Sequence, residues 1–138
     1  MSIYFSESNL FEYLKHKEFC HIKIDDKHKR VSFYINDKIF AVLTKIHNTE
    51  MLTLHFSPQL SYQLQTSHRY IIPSFDYLKA EHWTTIITGV INDKLLFQLV
   101  DLSYNLTITK MTKREKMQIK QQIQESPKVL SFPEEVFA

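Results

Sequence analysis

The chain of 138 residues contains a single glycine, Gly89. Glycine adopts positive φ more readily than any other residue, so turns that need this conformation must fall to asparagine and aspartate. The chain offers two such pairs, Asn36-Asp37 and Asn92-Asp93. One glycine also excludes a glycine-rich loop of the kind that holds nucleotide phosphates. We therefore expect short turns built on Asn and Asp, and no loop of that kind.

The composition indicates one folded domain that works inside the cell. Hydrophobic residues make up 43% of the chain and aromatic residues 13%, which is enough to build a core. The one cysteine, Cys20, cannot form an internal disulfide, which fits a reducing compartment. The first residues lack the layout of a signal peptide, and no apolar run approaches the roughly 20 residues of a membrane helix. The prediction is a cytoplasmic protein without a membrane partner.

The first half of the chain predicts a β-hairpin and a further strand. Residues 31–36 alternate with a period of two, and residues 39–43 are continuously apolar, as in a central strand. Asn36-Asp37 between them suits a two-residue turn. Residues 51–56 predict a third strand, whereas residues 19–30 are mixed, with a strand pattern followed by a charged loop.

Helix signals are clearest at Ser57-Pro58, where the serine can cap and proline suits the first helical position. This helix is expected to end near His68. The other predicted elements are a first helix capped by Ser6 or Ser8, strands over residues 69–72 and 83–88, and a last major helix capped by Asn92 or Asp93.

The character of the chain changes at Thr112, so we predict a domain over residues 1–111 and a basic helical extension with a tail over residues 112–138. Good helix formers fill residues 112–125, which predicts that the last major helix continues through them and ends at Ser126-Pro127. Met117 contributes only a thin apolar stripe, so this extension is expected to dock weakly.

A cluster of basic residues at the start of the extension favours contact with nucleic acid. The overall formal charge of +2 is too small to carry such an argument. The local charge is about +4, since a single carboxylate, Glu115, accompanies the cluster. The cluster consists of Lys110, Lys113, Arg114, Lys116 and Lys120. The alternative is a solvated helix end, where cations meet the negative end of the helix dipole.

Two further groups of residues have a functional and a structural interpretation. The His82-Trp83 pair could stack on a base or line a pocket, or Trp83 could anchor the core with His82 at its edge. Ser103 and Lys110 lie seven residues apart on one helix face, as a nucleophile and base would, or as a packing serine and a solvated lysine would. No glycine-rich turn exists to build an oxyanion hole, so we predict no catalytic residues and no enzyme.

No cofactor or metal is predicted. The seven histidines are scattered and form no paired ligand signature. Cys20 beside His21 could be a reactive thiol, although a lone cysteine is more often packed.

Four segments in order resemble the MmcQ/YjbR family of small bacterial proteins. They cover residues 37–43, 57–64, 80–86 and 103–113, the third of which contains His82-Trp83. The resemblance implies a two-layer α+β fold with an antiparallel sheet of about five strands, in the order helix, three strands, helix, two strands, helix. It also implies DNA binding, largely independent of sequence. The candidate nucleic-acid contacts are Lys79, His82, Trp83, Lys110, Lys113, Arg114 and Lys116.

The alternative function is a protein-interaction module, chaperone-like or homodimeric, without nucleic-acid binding. The fold that the resemblance implies is similar to that of small secretion chaperones. Three apolar residues of the tail, Phe132, Val136 and Phe137, lie outside the core pattern and could dock on another protein or on a second copy of the chain.

Overall fold

The computed structural model of the protein describes residues 9–74 and 82–125. The elements in chain order are α1 (Asn9–Lys15), β1 (Cys20–Asp25), β2 (Arg30–Ile35), β3 (Lys38–Ile46), β4 (Thr49–His55), α2 (Pro58–Ser67), β5 (Ile71–Pro73), β6 (Trp83–Ile87), a 3₁₀ turn (Thr88–Val90), α3 (Asp93–Thr109) and α4 (Lys113–Glu125).

The strands form one antiparallel sheet in the order β1-β2-β3-β4-β6-β5. The predicted α+β class and the antiparallel sheet are confirmed. The described sheet has six strands rather than about five, because four strands precede α2. The additional strand is β1, an edge strand whose side chains are exposed or only half-buried, so its polarity is mixed.

The core lies between the sheet and the helices. Helix α3 packs on β3 and β4, α1 packs on α3 and β1, and α2 packs on β5 and β6. Fully buried side chains from strands and helices meet there: Leu14, Phe33, Ile35, Phe40, Leu43, Leu52, Leu54, Phe56, Ile71, Ile86 and Leu96. Every helix in the described part of the chain is too short or too polar to cross a lipid bilayer.

Turns are built without glycine, but only partly as predicted. Asn36 in the β2–β3 turn adopts a φ of 54°, and Asn48 after β3 one of 66°, as expected for asparagine. Asn92 instead caps α3 with a φ of -68°. Three residues other than Asn and Asp also have positive φ, namely Phe19, Lys29 and His47, of which only histidine is commonly found there. The restriction to Asn and Asp was therefore wrong, since tertiary packing can impose a conformation that costs about 1–2 kcal/mol.

The predicted helix starts are confirmed. The Ser57 side chain accepts a hydrogen bond from the Leu60 backbone N–H at 3.2 Å, and Pro58 is the first helical residue. The Asn92 side chain accepts one from the Leu95 N–H at 2.8 Å. The caps suggested for the first helix, Ser6 and Ser8, lie outside the described residues.

Helix α3 does not continue into α4, which corrects the prediction for residues 112–125. Helix α3 ends at Thr109, and α4 begins at Lys113 with its own cap. Glu115 N–H donates to the Thr112 hydroxyl at 3.1 Å, and Thr112 N–H donates to the Glu115 carboxylate at 3.0 Å. This reciprocal capping box satisfies N–H groups that a continuous helix would have bonded internally.

The apolar side of α4 lies on a different residue from the one predicted, and weak docking of the extension stays a prediction. Ile119 is fully buried in the core, whereas Met117, which was expected to form the apolar stripe, is 60% exposed. The break at residues 110–112 turns the helix so that Ile119 faces inward. The predicted end at Ser126-Pro127 lies outside the described residues, although α4 is described as far as Glu125.

Candidate functional site

A pocket of about 430 Å³ lies at one end of the sheet, beside the C-terminal end of α3. Its lining comes from the β2–β3 turn, the start of β3, the end of β4, the start of β6, and the last turns of α3. The lining residues are Asp37, Lys38, Ile39, His55, Trp83, Thr107, Lys110 and Met111. Ligand pockets in proteins usually have volumes of about 300–1,000 Å³, so this one is of a useful size.

Strand register and helix periodicity bring these residues together. The two-residue turn places Asp37 and Lys38 at the same end of the sheet as the end of β4. His55 and Trp83 are direct partners in the β4–β6 ladder. Thr107 and Lys110 are three residues apart, which puts them on one side of the helix end.

The Ser103 hydroxyl lies between the ends of β3 and β4, beside this pocket, and bonds to both strands. The regular ladder ends at the pair Ala41 and Leu54, and an irregularity in the β2–β3 pairing displaces Phe40. The Ser103 hydroxyl donates to the Phe40 carbonyl at 2.6 Å and accepts from the His55 N–H at 2.8 Å. A side chain from α3 thus takes the place of one ladder hydrogen bond.

The Trp83 indole is held by a stacked imidazole. The His55 and Trp83 ring centroids are 4.9 Å apart and their planes differ by 20°. Burial, and to a lesser degree the charges of Lys110 and the His82 ring, lowers the pKa of His55 from 6.5 to about 4. His55 is therefore neutral at physiological pH, and the cations of the pocket are its lysines.

The predicted contact residues within the described ranges fall into three groups. Trp83 and Lys110 line the pocket, and the His82 ring lies 6.4 Å from the His55 ring without lining it. Lys113 and Arg114 are exposed at the start of α4. Only 9% of Lys116 is exposed, because it lies on the inward side of α4 with Ile119, so it is a poor candidate for contact with nucleic acid. Lys79 lies outside the described residues, as do the tail residues Phe132, Val136 and Phe137.

Trp83 is half-buried and packs beside the main core rather than within it. The pocket-lining interpretation therefore describes its position better than that of a core anchor. For Ser103 and Lys110, the structural interpretation describes the observed arrangement better than the catalytic one. Ser103 is fully buried with both hydrogen bonds made to backbone, and the neighbouring Tyr104 donates its hydroxyl to the Glu18 carbonyl.

Cys20 is a packed thiol on β1. Burial raises its pKa to about 12, so the thiolate needed for a nucleophile is not formed near neutral pH. In the described ranges, no three His, Cys, Asp or Glu side chains come close enough to hold a metal ion.

Several pocket residues were not singled out from the sequence. They are Asp37, Lys38, Ile39, His55, Thr107 and Met111. A signal existed for most of them, because residues 37–43, 80–86 and 103–113 are three of the four segments that carry the family resemblance. His55 had no such signal. Its place in the pocket depends on its pairing with Trp83 across two strands.

A smaller recess of about 230 Å³ lies towards the other end of the sheet. Its lining includes Arg30 and Thr44, which pair at that end of β2 and β3, and His28, whose ring bonds Asp25 at 2.7 Å. None of the sequence-predicted site residues lies there, and its aromatic content is limited to the His28 imidazole.

Comparisons with known proteins agree with the resemblance noted from the sequence. A family model described as YjbR matches residues 14–106, more than half of the chain. The chain is 28% identical over 102 residues to the uncharacterized protein YjbR of Escherichia coli K12, covering 73% of this chain and 86% of that protein. It is 27% identical over 89 residues to the uncharacterized protein YbdF of Escherichia coli O157:H7, covering 64% and 72% respectively.

Solved structures show that the fold is shared. A Deinococcus radiodurans protein superposes with a TM-score of 0.70 at 22% identity, over 80% of this chain and 85% of that one. A Pseudomonas syringae protein superposes with a TM-score of 0.61 at 22% identity, over 70% of this chain and 93% of that one.

Proposed function

This chain belongs to the YjbR family, and on that basis we propose that it binds DNA through a basic surface, largely independently of base sequence. The basic surface consists of Lys38, Lys110, Lys113 and Arg114. The first two line the pocket, and the other two are exposed at the start of the helix that follows it.

The observation that supports this proposal best is the convergence of cations beside an aromatic pocket. Lys38 lies far from Lys110 in sequence, yet both line one cavity with Trp83. None of the four cations of the basic surface forms an ion pair within the described residues. Ammonium and guanidinium groups that have no carboxylate partner are available for phosphate oxygens.

Among the described residues, Asp37 and Glu115 are two carboxylates that lie near the basic surface and limit its charge. Asp37 lines the pocket, and Glu115 is engaged in capping α4. The four cations therefore exceed the neighbouring acids by about two charges, a modest excess that suits salt-sensitive and weak binding. No catalytic step is part of the proposal, because the buried Ser103 hydroxyl is already bonded to two backbone groups.

The experiment is a fluorescence-anisotropy titration of labelled duplex and single-stranded DNA at low and moderate salt. With four phosphate contacts, the logarithm of the association constant should fall with the logarithm of salt concentration with a slope of about -3 to -4. Absence of binding at about 50 mM salt would remove the proposal. A stable homodimer in light scattering, found together with no DNA binding, would instead support the protein-interaction alternative.

A charge-matched pair of variants tests the location of the surface. The Lys110→Glu/Lys113→Glu variant should bind DNA at least about tenfold more weakly at low salt. Its association constant should also depend less steeply on salt, with the logarithmic slope smaller in magnitude by about two. The control is Lys27→Glu/Lys94→Glu, which changes net charge equally. Lys94 lies in the first turn of α3 and Lys27 in the β1–β2 turn, both at the opposite end of their elements from the pocket. An equal loss of affinity in both variants would show that only net charge matters.

A further inference from the structure

We propose that the pocket at the end of the sheet binds one unpaired nucleotide, with its base against Trp83 and its phosphate between Lys38 and Lys110. This inference rests on the proposed function and specifies the substrate: single-stranded DNA, or DNA with an unstacked base, in preference to intact duplex.

The walls of the pocket match the two halves of a nucleotide. Trp83, Ile39 and Met111 supply an aromatic ring and apolar, polarizable contacts for a flat base. Lys38 and Lys110 supply two ammonium groups for a phosphate. The cavity of about 430 Å³ has room for a single nucleotide. A base must leave its stack before an aromatic side chain can pack on its face, so an unpaired base is the better ligand.

Polar groups in the same pocket suit the edges of a base or sugar. The Asp37 carboxylate can accept a hydrogen bond from an exocyclic amine or a sugar hydroxyl. The Thr107 hydroxyl lies on the same wall as Lys110; it donates its proton to the Ser103 carbonyl at 2.8 Å, and its oxygen can still accept a hydrogen bond. A mixed lining of aromatic, apolar and few polar groups is typical of small-ligand sites rather than of a plain phosphate-binding surface.

Trp83 is oriented before any ligand arrives. His55 stacks on the indole at 4.9 Å, and the His55 backbone is fixed by Ser103. No second ring of the described residues stacks on Trp83. An aromatic ring held in place from one side loses little freedom when a base packs against it, which favours stacking over a mobile surface contact.

The chain contains one tryptophan, so Trp83 reports on this site directly. The first experiment titrates the wild-type protein with deoxyadenosine monophosphate, with inorganic phosphate and with a short oligothymidylate. Tryptophan emission is excited at the red edge of its absorption, and the indole N–H resonance is followed by NMR. The nucleotide and the oligonucleotide should change both signals, and phosphate alone should not. An identical response to phosphate would reduce the site to an anion site and overturn the inference.

The second experiment compares single-stranded DNA with a blunt duplex of the same sequence at one salt concentration. Single-stranded DNA should bind roughly 5- to 150-fold more tightly, the range that one stacked base contributes. Trp83→Leu should abolish this preference, and Trp83→Phe should keep most of it. Equal binding of both forms by the wild type, with Trp83 signals unchanged, would overturn the pocket assignment and leave DNA binding intact. No binding of either form would instead reject the proposed function itself.

Discussion

The Ser103 hydroxyl should be one of the most important polar groups for stability in this protein. It joins the Phe40 carbonyl of β3 to the His55 N–H of β4 at the point where the two strands part. Ser103 itself is fully buried. Replacing it with alanine leaves both backbone groups without this partner and loosens the end of the β3–β4 ladder beside the pocket.

The expected loss of unfolding free energy follows from the two hydrogen bonds. A buried donor or acceptor that loses its partner costs about 1–3 kcal/mol. The bond to Phe40 is buried and the bond from His55 only partly buried, so the two together are worth about 2–4 kcal/mol. Alanine returns a few tenths of a kcal/mol through helix propensity. The expected loss for Ser103→Ala is therefore about 2–3 kcal/mol, or roughly 6–12 °C in Tm for a chain of this size.

Ser61 provides a matched control. It is also a helical serine, only 2% exposed, but its hydroxyl has no hydrogen-bond partner among the described residues. Ser61→Ala removes an unpaired polar group and gains the same helix propensity, so stability should stay constant or rise by up to about 1 kcal/mol.

The assay is urea unfolding of both variants and the wild type, followed by far-UV circular dichroism and by Trp83 fluorescence. Coincident transitions and equal m-values would show that the difference lies in folding free energy. If Ser103→Ala and Ser61→Ala lose the same stability, or if Ser103→Ala remains within about 0.5 kcal/mol of the wild type, the bridging role of Ser103 is refuted.

Three further predictions concern pH, capping and the one glycine. Since the folded pKa of His55 is about 4 and the unfolded one near 6.5, the unfolded state binds the proton first, and stability falls as pH drops from about 6.5 to 4. The loss of unfolding free energy between pH 7 and 4.5 should be about 1–2 kcal/mol smaller in His55→Gln than in the wild type, a value that allows for screening of the ring by solvent. An equal loss in both proteins would contradict this prediction. Thr112→Ala should lose about 1 kcal/mol by chemical denaturation, whereas Thr112→Ser should retain the cap; equal losses would exclude the capping box. Gly89 has no positive φ, and a Cβ added there would meet no atom of the surrounding structure within 4 Å, so Gly89→Ala should raise the unfolding free energy by about 0.4–1 kcal/mol, and a loss would be inconsistent with this environment.

Local sequence determined the elements that depend on interactions between residues close together in the chain. Period-two alternation located β2, and the apolar run located β3. Ser57 and Asn92 cap helices because their side chains reach N–H groups only three residues ahead. The capping box of Thr112 and Glu115 was equally local, but it was missed because the run of good helix formers favoured one continuous helix.

The sequence also determined part of the candidate site. Trp83 and Lys110 were singled out for their chemistry, and both line the pocket. The family resemblance covers segments that supply most of the other lining residues. What local pattern could not predict was that Lys116 turns inward, since its orientation depends on where α3 breaks and α4 begins again.

Only the tertiary structure decided which distant residues meet. Ser103 contacts Phe40 and His55 across 63 and 48 residues of sequence, and no local pattern distinguishes such a serine from one that merely fills space. Positive φ at Phe19 and Lys29 likewise arises from the chain around them rather than from their own preferences. The pocket exists because strand register pairs His55 with Trp83 and the end of α3 lies beside them. Register and packing are properties of the whole sheet, so they appear only once every strand has found its partner.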